Sequence, residues 1–282
     1  MSPSSRDLLF VVCARAAAGM TAGLLLVIVA CVATWALPAI RDVGLARFVS
    51  DGSWHPREGT YDLLPMLVGS LLVTAGAVAC AAPIGILAAV CANFHAPAPL
   101  AWLLRRTFEV LGAVPSVVFG LWGLVSIVPW VAAIAPPGPS LFSAMAVLAL
   151  MIVPTVALTA DAALRAVPAE LIRGAVALGL GRAGVLRHVV IPTARPGLVA
   201  GIVLAVGRAL GETMAVLMVC GNVVQIPGSL FDPVRTVTAN IALEMGYATG
   251  SHRSALFVSA LALVLLVALL ATISNESGSD RA

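Results

Sequence analysis

Two charged side chains lie inside a long apolar stretch in the last third of the sequence. Arg208 and Glu212 belong to the run GRALGETM, within an apolar segment that we predict to cross a membrane over Gly197–Val224. An ionised side chain at the centre of a bilayer costs at least ~2.5–3.5 kcal/mol on insertion scales. Such residues face protein or water rather than lipid, so the run indicates a polar site inside a membrane protein.

The four-residue spacing of Arg208 and Glu212 predicts an ion pair on one helix face. Two interpretations remain open: a structural pair that fixes helix packing, and a polar station on a solute pathway. On the second interpretation, the forked donors of Arg208 bind two oxygens of an oxyanion. Glu212 then keeps that hold from becoming too tight, or accepts a hydrogen bond from a protonated phosphate.

The composition is that of a membrane protein. The chain is 61% apolar and 10% charged, with a mean hydropathy of +1.06, which is outside the range of soluble domains. All 16 basic residues are arginine. Without lysine the chain has no standard P-loop for nucleotide phosphates, and Schiff-base chemistry is excluded.

The other residues that could support chemistry are scattered. We find no C-x-x-C pair, no H-E-x-x-H motif and no nucleophile–base pair, so we predict neither an enzyme nor a metal site, and no cofactor in this chain. We interpret the cysteines as packing residues and the histidines as solvated or interfacial residues. These residues are Cys13, Cys31, Cys80, Cys91 and Cys220, and His55, His95, His188 and His252.

Six apolar stretches approach or exceed the ~20 residues that a membrane-spanning helix needs. They predict an all-α integral membrane protein with one transmembrane domain over residues 1–282, whose core covers about 63–273. We expect membrane lipid, and no nucleic acid, among its partners. The predicted spans are Ala16–Leu37, Leu63–Ala92, Phe108–Val131, Leu141–Ala160, Gly197–Val224 and Ala255–Ile273.

Arginine placement predicts the orientation. Ten arginines occur in the N-terminal tail, the 93–107 loop, the 161–196 loop and the C-terminal tail, against five in the 41–62 and 225–254 loops. Because cytoplasmic loops carry the excess of basic residues, both termini are expected in the cytoplasm.

The 161–196 loop is the longest predicted cytoplasmic connection. Pro168 suits the first turn of a helix, Gly179 and Gly181 break that helix, and Pro192 is expected to stop the next one. The result is two short helices on the inner face of the membrane. They either rest on lipid headgroups or form a docking element.

Pro115 removes a hydrogen bond from the third predicted span, so we expect a kink or an unwound turn there. A structural kink is the default interpretation. Irregular backbone at membrane depth also occurs where it lines a cavity, which would place Ser116 on the pathway.

The cytoplasmic loop is similar to a family motif. Ala175-x-x-x-Gly179 followed by Val189-x-Ile191-Pro192 resembles the "EAA" loop of ABC-importer permeases, although Arg173-Gly174 stands where that family usually has Glu-Ala. The resemblance implies a coupling helix that docks in a cytoplasmic ATPase. The implied coupling residues are Glu170, Arg173, Ala175, Gly179 and Pro192.

Three further segments resemble the PstC-type permease of the phosphate-specific transport system: the run Gly207–Asn222, the run AVPSVVFGLWGL over 113–124, and the first outer loop around Trp54 and Tyr61. The resemblance implies a type I ABC-importer permease in the cytoplasmic membrane. Its implied partners are a second permease subunit, an ATPase dimer that binds ATP and Mg²⁺, and an extracytoplasmic phosphate-binding protein. It assigns Arg208 and Glu212 to the transport pathway, and we place Thr213, Ser116 and Asn222 on the same path.

Alternative functions stay open at this point. A sulfate or molybdate importer has a related coupling loop, and an anion channel could use the same charged pair. A channel needs no long cytoplasmic docking loop and conducts without ATP. The phosphate assignment therefore depends on the GRALGET motif that begins at Gly207.

Overall fold

The structure is a computed structural model that describes the backbone of residues 5–279 and the side chains of residues 10–270 and 272. Within these residues the regular elements are helices and one short hairpin, β1 (Trp54–His55) paired with β2 (Thr60–Tyr61). The helices are α1 (Ser5–Asp42), α2 (Leu64–Val90), α3 (Ala98–Ala113), α4 (Ser116–Trp122), α5 (Val128–Ile134), α6 (Leu141–Arg165), α7 (Ala169–Ala177), α8 (Arg182–Val185), α9 (Ile191–Gly211), α10 (Met214–Val219), α11 (Val237–Glu244) and α12 (Gly250–Ser279).

The predicted number of spans is confirmed for the part of the chain that is described. Short π-helical turns join α2 to the following residues, α4 to α5, and α8 to α9, so that several neighbouring helices run on as one. Six stretches are long and apolar enough to cross a bilayer. They are Phe10–Asp42, Leu64–His95, Ser116–Ile134, Leu141–Arg165, Arg182–Gly211 and Gly250–Leu270.

The chain divides into two compact units. The first comprises the described residues up to Asp62 together with Glu244–Val264. Its aromatic side chains pack closely: Trp54 meets Tyr61 edge-on at 5.6 Å, and Trp35 stacks on Phe257 at 5.8 Å. Buried Glu244 accepts hydrogen bonds from Trp54 Nε1 and contacts His252 Nε2 at 2.9 Å.

The second unit comprises Leu63–Leu243 and the described residues from Leu265 onward. Its central element is α6, whose apolar window is 67% buried, far more than that of any other predicted span. Ala and Val side chains of α2, α9 and α10 pack around α6. This makes α6 the scaffold on which the other helices are positioned.

Glycines allow α9 to approach α6 closely. A Cβ at Gly197 would lie 2.6 Å from Ala163 Cβ, and one at Gly201 would collide with Thr159. Gly207 and Gly211 belong to the same sequence pattern but meet nothing within 4 Å. The small-residue contact predicted by the pattern therefore exists in the first half of α9 and not in the second.

The structure corrects three predictions. The fifth span is not one helix over Gly197–Val224, because α9 ends at Gly211 and α10 is a separate short helix. Pro192 does not stop a helix. It lies in the first turn of α9, where a missing N–H costs little, and the π-helical turn Leu186–Val190 carries the chain continuously into it.

The third correction concerns the third span. It begins at Ser116 rather than Phe108, because Val114 and Pro115 adopt extended backbone and end α3. A proline disfavours helical backbone at the residue before it, so Val114 leaves the helix. The sequence predicted the irregularity but not a complete break.

Candidate functional site

Two membrane helices of the second unit are interrupted. Extended backbone at Val114 and Pro115 separates α3 from α4, and Glu212 with ψ 129° separates α9 from α10. Broken helices in membrane proteins occur where the backbone lines a cavity or is buried in protein. In transporters they are associated with the solute site.

The two short helices that follow the breaks are in contact. A Cβ at Gly120 of α4 would lie 2.8 Å from Ala215 Cα of α10. Real Cβ atoms do not approach a backbone atom so closely, so glycine is required at position 120. The contact places the two interruptions side by side.

An open cleft of about 480 Å³ lies next to these interruptions. Its walls come from three helices: the last turns of α3, the middle of α6 and the last turn of α9. The lining residues are Glu109, Gly112, Ala113, Thr155, Leu158, Thr159 and Arg208.

Arg208 is the cation of this cleft. Its side chain is exposed, and Nη1 donates to Thr155 Oγ1 at 3.4 Å. Thr155 lies roughly 20 Å from the start of the 25-residue α6, so the Arg208 guanidinium lies beside the middle of that helix. The sequence predicted Arg208 close to the middle of a helix, whereas it lies in the last turn of α9.

The predicted pairing of Arg208 with Glu212 is wrong. Glu212 follows the last residue of α9 and has extended backbone, so the two residues do not share a helix face. Instead, Glu212 Oε1 accepts from Ala215 N at 3.2 Å, and its carbonyl oxygen accepts from Thr238 Oγ1 at 2.9 Å. Glu212 thus caps α10 and ties the helix break to α11.

The other predicted pathway residues do not line the cleft. Thr213 Oγ1 donates to the Gly211 carbonyl at 3.3 Å, and Ser116 begins α4. Asn222, with φ +56°, closes the end of α10 by donating to the Leu217 carbonyl at 2.8 Å. These three residues lie at the ends of the short helices near the two breaks, and they do not line the cleft.

Sequence reasoning missed Glu109, Thr155 and Thr159. Thr155 and Thr159 lie four residues apart in an apolar run, so their hydroxyls share a helix face. Glu109 is acidic and lies at the edge of a predicted span. These residue types indicate a polar surface, but only the fold shows that all three line one cleft with Arg208.

A charged network joins three helices near the C-terminal end of α6. Asp161 accepts from Arg105 Nε at 3.1 Å and Asn93 Nδ2 at 2.7 Å, and forms an ion pair with Arg165 at 3.0 Å. The side chain of Asp161 is 13% exposed. The network therefore fixes α3 and the end of α2 against α6, and with them the wall of the cleft that carries Glu109.

The predicted coupling segment forms a short exposed helix. Pro168 precedes α7, and Gly179 with φ +85° closes it, with Leu180 N donating to the Ala175 carbonyl at 3.1 Å. Ala175 is buried in an apolar cluster with residues of α6 and α9, whereas Glu170 and Arg173 are exposed.

An exposed apolar residue follows the same helix. The Leu178 side chain, next to Gly179, is 83% exposed. Leu171 and Val176 of α7 are exposed as well, and a group of exposed apolar side chains marks an interaction surface. Pattern reasoning did not identify Leu178.

One carboxylate outside the membrane-spanning stretches has a shifted pKa. Asp51 accepts from Arg47 Nε and from Tyr61 N, both at 2.9 Å, and these bonds hold the pKa of Asp51 below its ordinary value. Asp51 therefore stays ionised and fixes the start of the hairpin. Among the described side chains, no three His, Cys, Asp or Glu residues come together as metal ligands.

Comparison with known proteins agrees with this architecture. Residues 81–276 match the family described as the inner membrane component of binding-protein-dependent transport systems. The chain is 35% identical to the phosphate transport system permease protein PstC of Pasteurella multocida, over 81% of this chain and 78% of that protein. It is 36% identical to PstC 1 of Mycobacterium tuberculosis, over 79% and 73% of the two chains.

Solved structures share the fold at lower identity. A bacterial ABC transporter that imports the acidic polysaccharide alginate superposes with a TM-score of 0.68 at 12% identity, covering 98% of this chain and 96% of that one. The MetNI methionine ABC transporter, in an inward-facing conformation, gives 0.58 at 21% identity over 77% and 92%. The chain is a multi-pass membrane protein that belongs to the family of inner membrane components of binding-protein-dependent transport systems, and within that family it is similar to PstC-type permeases.

Proposed function

We propose that this chain is the permease subunit of an ATP-driven importer that moves inorganic phosphate across the cytoplasmic membrane, and that Arg208 binds the anion on its way. The observation that carries the proposal is that Arg208 belongs to an apolar stretch long enough to cross a membrane, contacts the middle of α6 and is exposed to an open cleft beside two helix breaks. A cation is kept in such a stretch where it faces a water-filled path.

Phosphate fits the chemistry of the cleft. It carries between one and two negative charges near neutral pH, and an arginine fork can bind two of its oxygens at once. Sulfate and molybdate carry the same number of oxygens and a similar charge, so Arg208 alone does not choose among them. The curated relatives that are named for phosphate transport favour phosphate.

The proposed complex contains four kinds of subunit. This chain pairs with a second homologous permease, an extracytoplasmic phosphate-binding protein delivers the anion, and a cytoplasmic ATPase dimer binds ATP and Mg²⁺. Exposed Glu170, Arg173 and Leu178 of the α7 segment form the docking surface for the ATPase. Buried Ala175 anchors that surface to the membrane core.

The orientation is part of the proposal. With both termini in the cytoplasm, Ser53 and Ser229 lie outside and Ala183 lies inside. Cysteines introduced at the first two positions in a cysteine-free background should react with an impermeant thiol reagent from outside. A cysteine at position 183 should react only after the membrane is opened, and its labelling in intact cells would reverse the proposed topology.

Uptake of radiolabelled phosphate into proteoliposomes that contain the whole complex tests the function. Uptake should require ATP, and Arg208→Gln should lower it at least about tenfold while the complex still assembles. Because Glu212 does not pair with Arg208, this single change leaves no partner charge unpaired, and it is a fair test of Arg208.

Arg15→Gln, the same change at an exposed position of α1, is the matched control and should import normally. Flux without ATP would indicate a channel instead of an importer. Uptake of sulfate or molybdate in place of phosphate would support a different oxyanion.

A further inference from the structure

The cleft that contains Arg208 also contains a carboxylate, Glu109 of α3. Its Oε2 accepts from Arg106 Nη1 at 2.6 Å, three residues back on the same helix. Among the described residues no donor contacts the second oxygen, Oε1. The side chain is 48% exposed, so Oε1 is available to a solute in the cleft.

A carboxylate is an unexpected neighbour for an anion site. It has lone pairs but no proton to donate, and its negative charge repels an anion bound to Arg208. The repulsion is offset when the anion itself supplies a proton, because an O–H···O⁻ bond to a carboxylate is short and strong. The arrangement therefore favours an anion that keeps a hydroxyl.

The remaining polar side chains of the cleft are two hydroxyls, neutral acceptors that bind a substrate O–H less strongly than a carboxylate does. Thr159 Oγ1 donates to the carbonyls of Thr155 and Val156 in its own helix. Thr155 Oγ1 accepts from Arg208. Glu109 is thus the one carboxylate among the residues that line the cleft.

We propose that Glu109 makes the pathway selective for protonated oxyanions, by accepting a hydrogen bond from the hydroxyl of phosphate while Arg208 binds its charged oxygens. Sulfate and molybdate carry no proton near neutral pH, so they meet the repulsion without the bond. This inference rests on the proposed function, since it assigns selectivity to the same cleft. A site built to bind a substrate hydroxyl rejects an analogue that lacks it more strongly than a size filter does.

Protection of a cysteine in the cleft measures anion binding to the permease itself, independently of the delivery protein. Ala113→Cys adds one sulfur atom at the cleft wall. In the assembled complex, without other reactive cysteines, its labelling by a thiol reagent is followed against increasing phosphate or sulfate. Phosphate should protect at a concentration at least about tenfold lower than sulfate.

Glu109→Gln keeps the size of the side chain and removes its charge. The ratio of protective concentrations should then fall to about twofold or less, because sulfate no longer meets repulsion and phosphate loses its charged acceptor. Arg106→Gln is the matched control: it breaks the same ion pair but keeps the carboxylate, so the preference should remain. If Glu109→Gln does not assemble, Glu109→Ala removes the same charge and is measured in the same way.

The outcomes separate the two proposals. Protection by phosphate with an unchanged preference in Glu109→Gln overturns the role of Glu109 and leaves the phosphate pathway standing. The same loss of preference in Arg106→Gln also overturns it, since the ion pair and not the carboxylate would then matter. If neither anion protects the cysteine in a complex that carries Ala113→Cys and otherwise has Glu109 and Arg106 unchanged, the anion site and this inference are overturned together.

Discussion

The Arg208 guanidinium donates to Thr155 Oγ1 at 3.4 Å, and this bond joins the last turn of α9 to the middle of α6. The distance is at the long limit of a hydrogen bond, so Thr155 orients the cation without holding it tightly. Arg208 has no carboxylate partner among the described residues. Its charge is therefore available to a solute that enters the cleft.

The geometry of Arg208 matters as well as its charge. Arg208→Lys keeps the charge but replaces the planar fork with a single ammonium group. We expect phosphate uptake by the reconstituted complex to fall about tenfold in Arg208→Lys and further in Arg208→Gln. Equal uptake by the lysine variant and the unmodified protein would mean that a point charge is sufficient.

Thr155→Val removes the hydroxyl that orients Arg208 and keeps the shape of the side chain. A neutral hydrogen bond contributes about 0.5–1.5 kcal/mol, so we expect a two- to tenfold loss of uptake. Thr193→Val, at an exposed position near the start of α9, is the matched control. An uptake rate that stays unchanged in Thr155→Val would show that Arg208 needs no orientation by α6.

The cap formed by Glu212 makes a prediction about stability. Glu212→Gln retains an oxygen that accepts from Ala215 N, whereas Glu212→Ala leaves that N–H without its acceptor. We expect Glu212→Ala to lower the free energy of unfolding by about 1 kcal/mol and Glu212→Gln to change it little. Thermal unfolding of the purified complex measures the difference. Equal melting temperatures for the two variants would contradict the capping role. Since Glu212→Gln should keep its stability, its phosphate uptake reports on the loss of the charge alone.

The contact between the two interrupted helices predicts that position 120 does not tolerate a side chain. A methyl group at Gly120 would lie 2.8 Å from Ala215 Cα, and overpacking of this kind costs about 1–3 kcal/mol. Gly120→Ala should therefore lower the stability of the complex in a thermal-shift measurement. Gly23→Ala, in α1 with nothing within 4 Å, should be neutral or slightly stabilising. Similar melting temperatures for both variants would refute the close approach of α4 and α10.

The end of α7 depends on a glycine in the left-handed region. At Gly179, φ is +85°, which costs a residue with a side chain about 1–2 kcal/mol. Gly179→Ala should displace the docking surface and reduce ATP-dependent uptake more than it reduces insertion in the membrane. Gly181→Ala is the matched control, because φ is −71° there and no atom lies within 4 Å. Normal uptake and normal ATPase co-purification with Gly179→Ala would argue against docking through α7.

Much of the fold follows from local properties of the sequence. Apolar runs longer than about 20 residues predict helices that cross a membrane, since the backbone can satisfy its hydrogen bonds there only within the helix. Pro115 predicts an irregularity where the first helix break occurs, because it lacks an N–H and disfavours helical backbone at Val114. The costly charge at position 208 likewise indicates a polar site without any knowledge of its neighbours.

The tertiary structure determines which side chains lie near Arg208. The sequence period suggests Glu212, four residues away, but this holds only inside an unbroken helix, and α9 ends at Gly211. No proline marks this second break; it is stabilised by Thr238, which is 26 residues away along the chain. The sequence alone therefore determined the membrane class and indicated a polar site at Arg208. Packing of α3 and α9 on α6 decided that Arg208 shares its cleft with Glu109 and Thr155, since residues so far apart in sequence meet only once the helices are assembled.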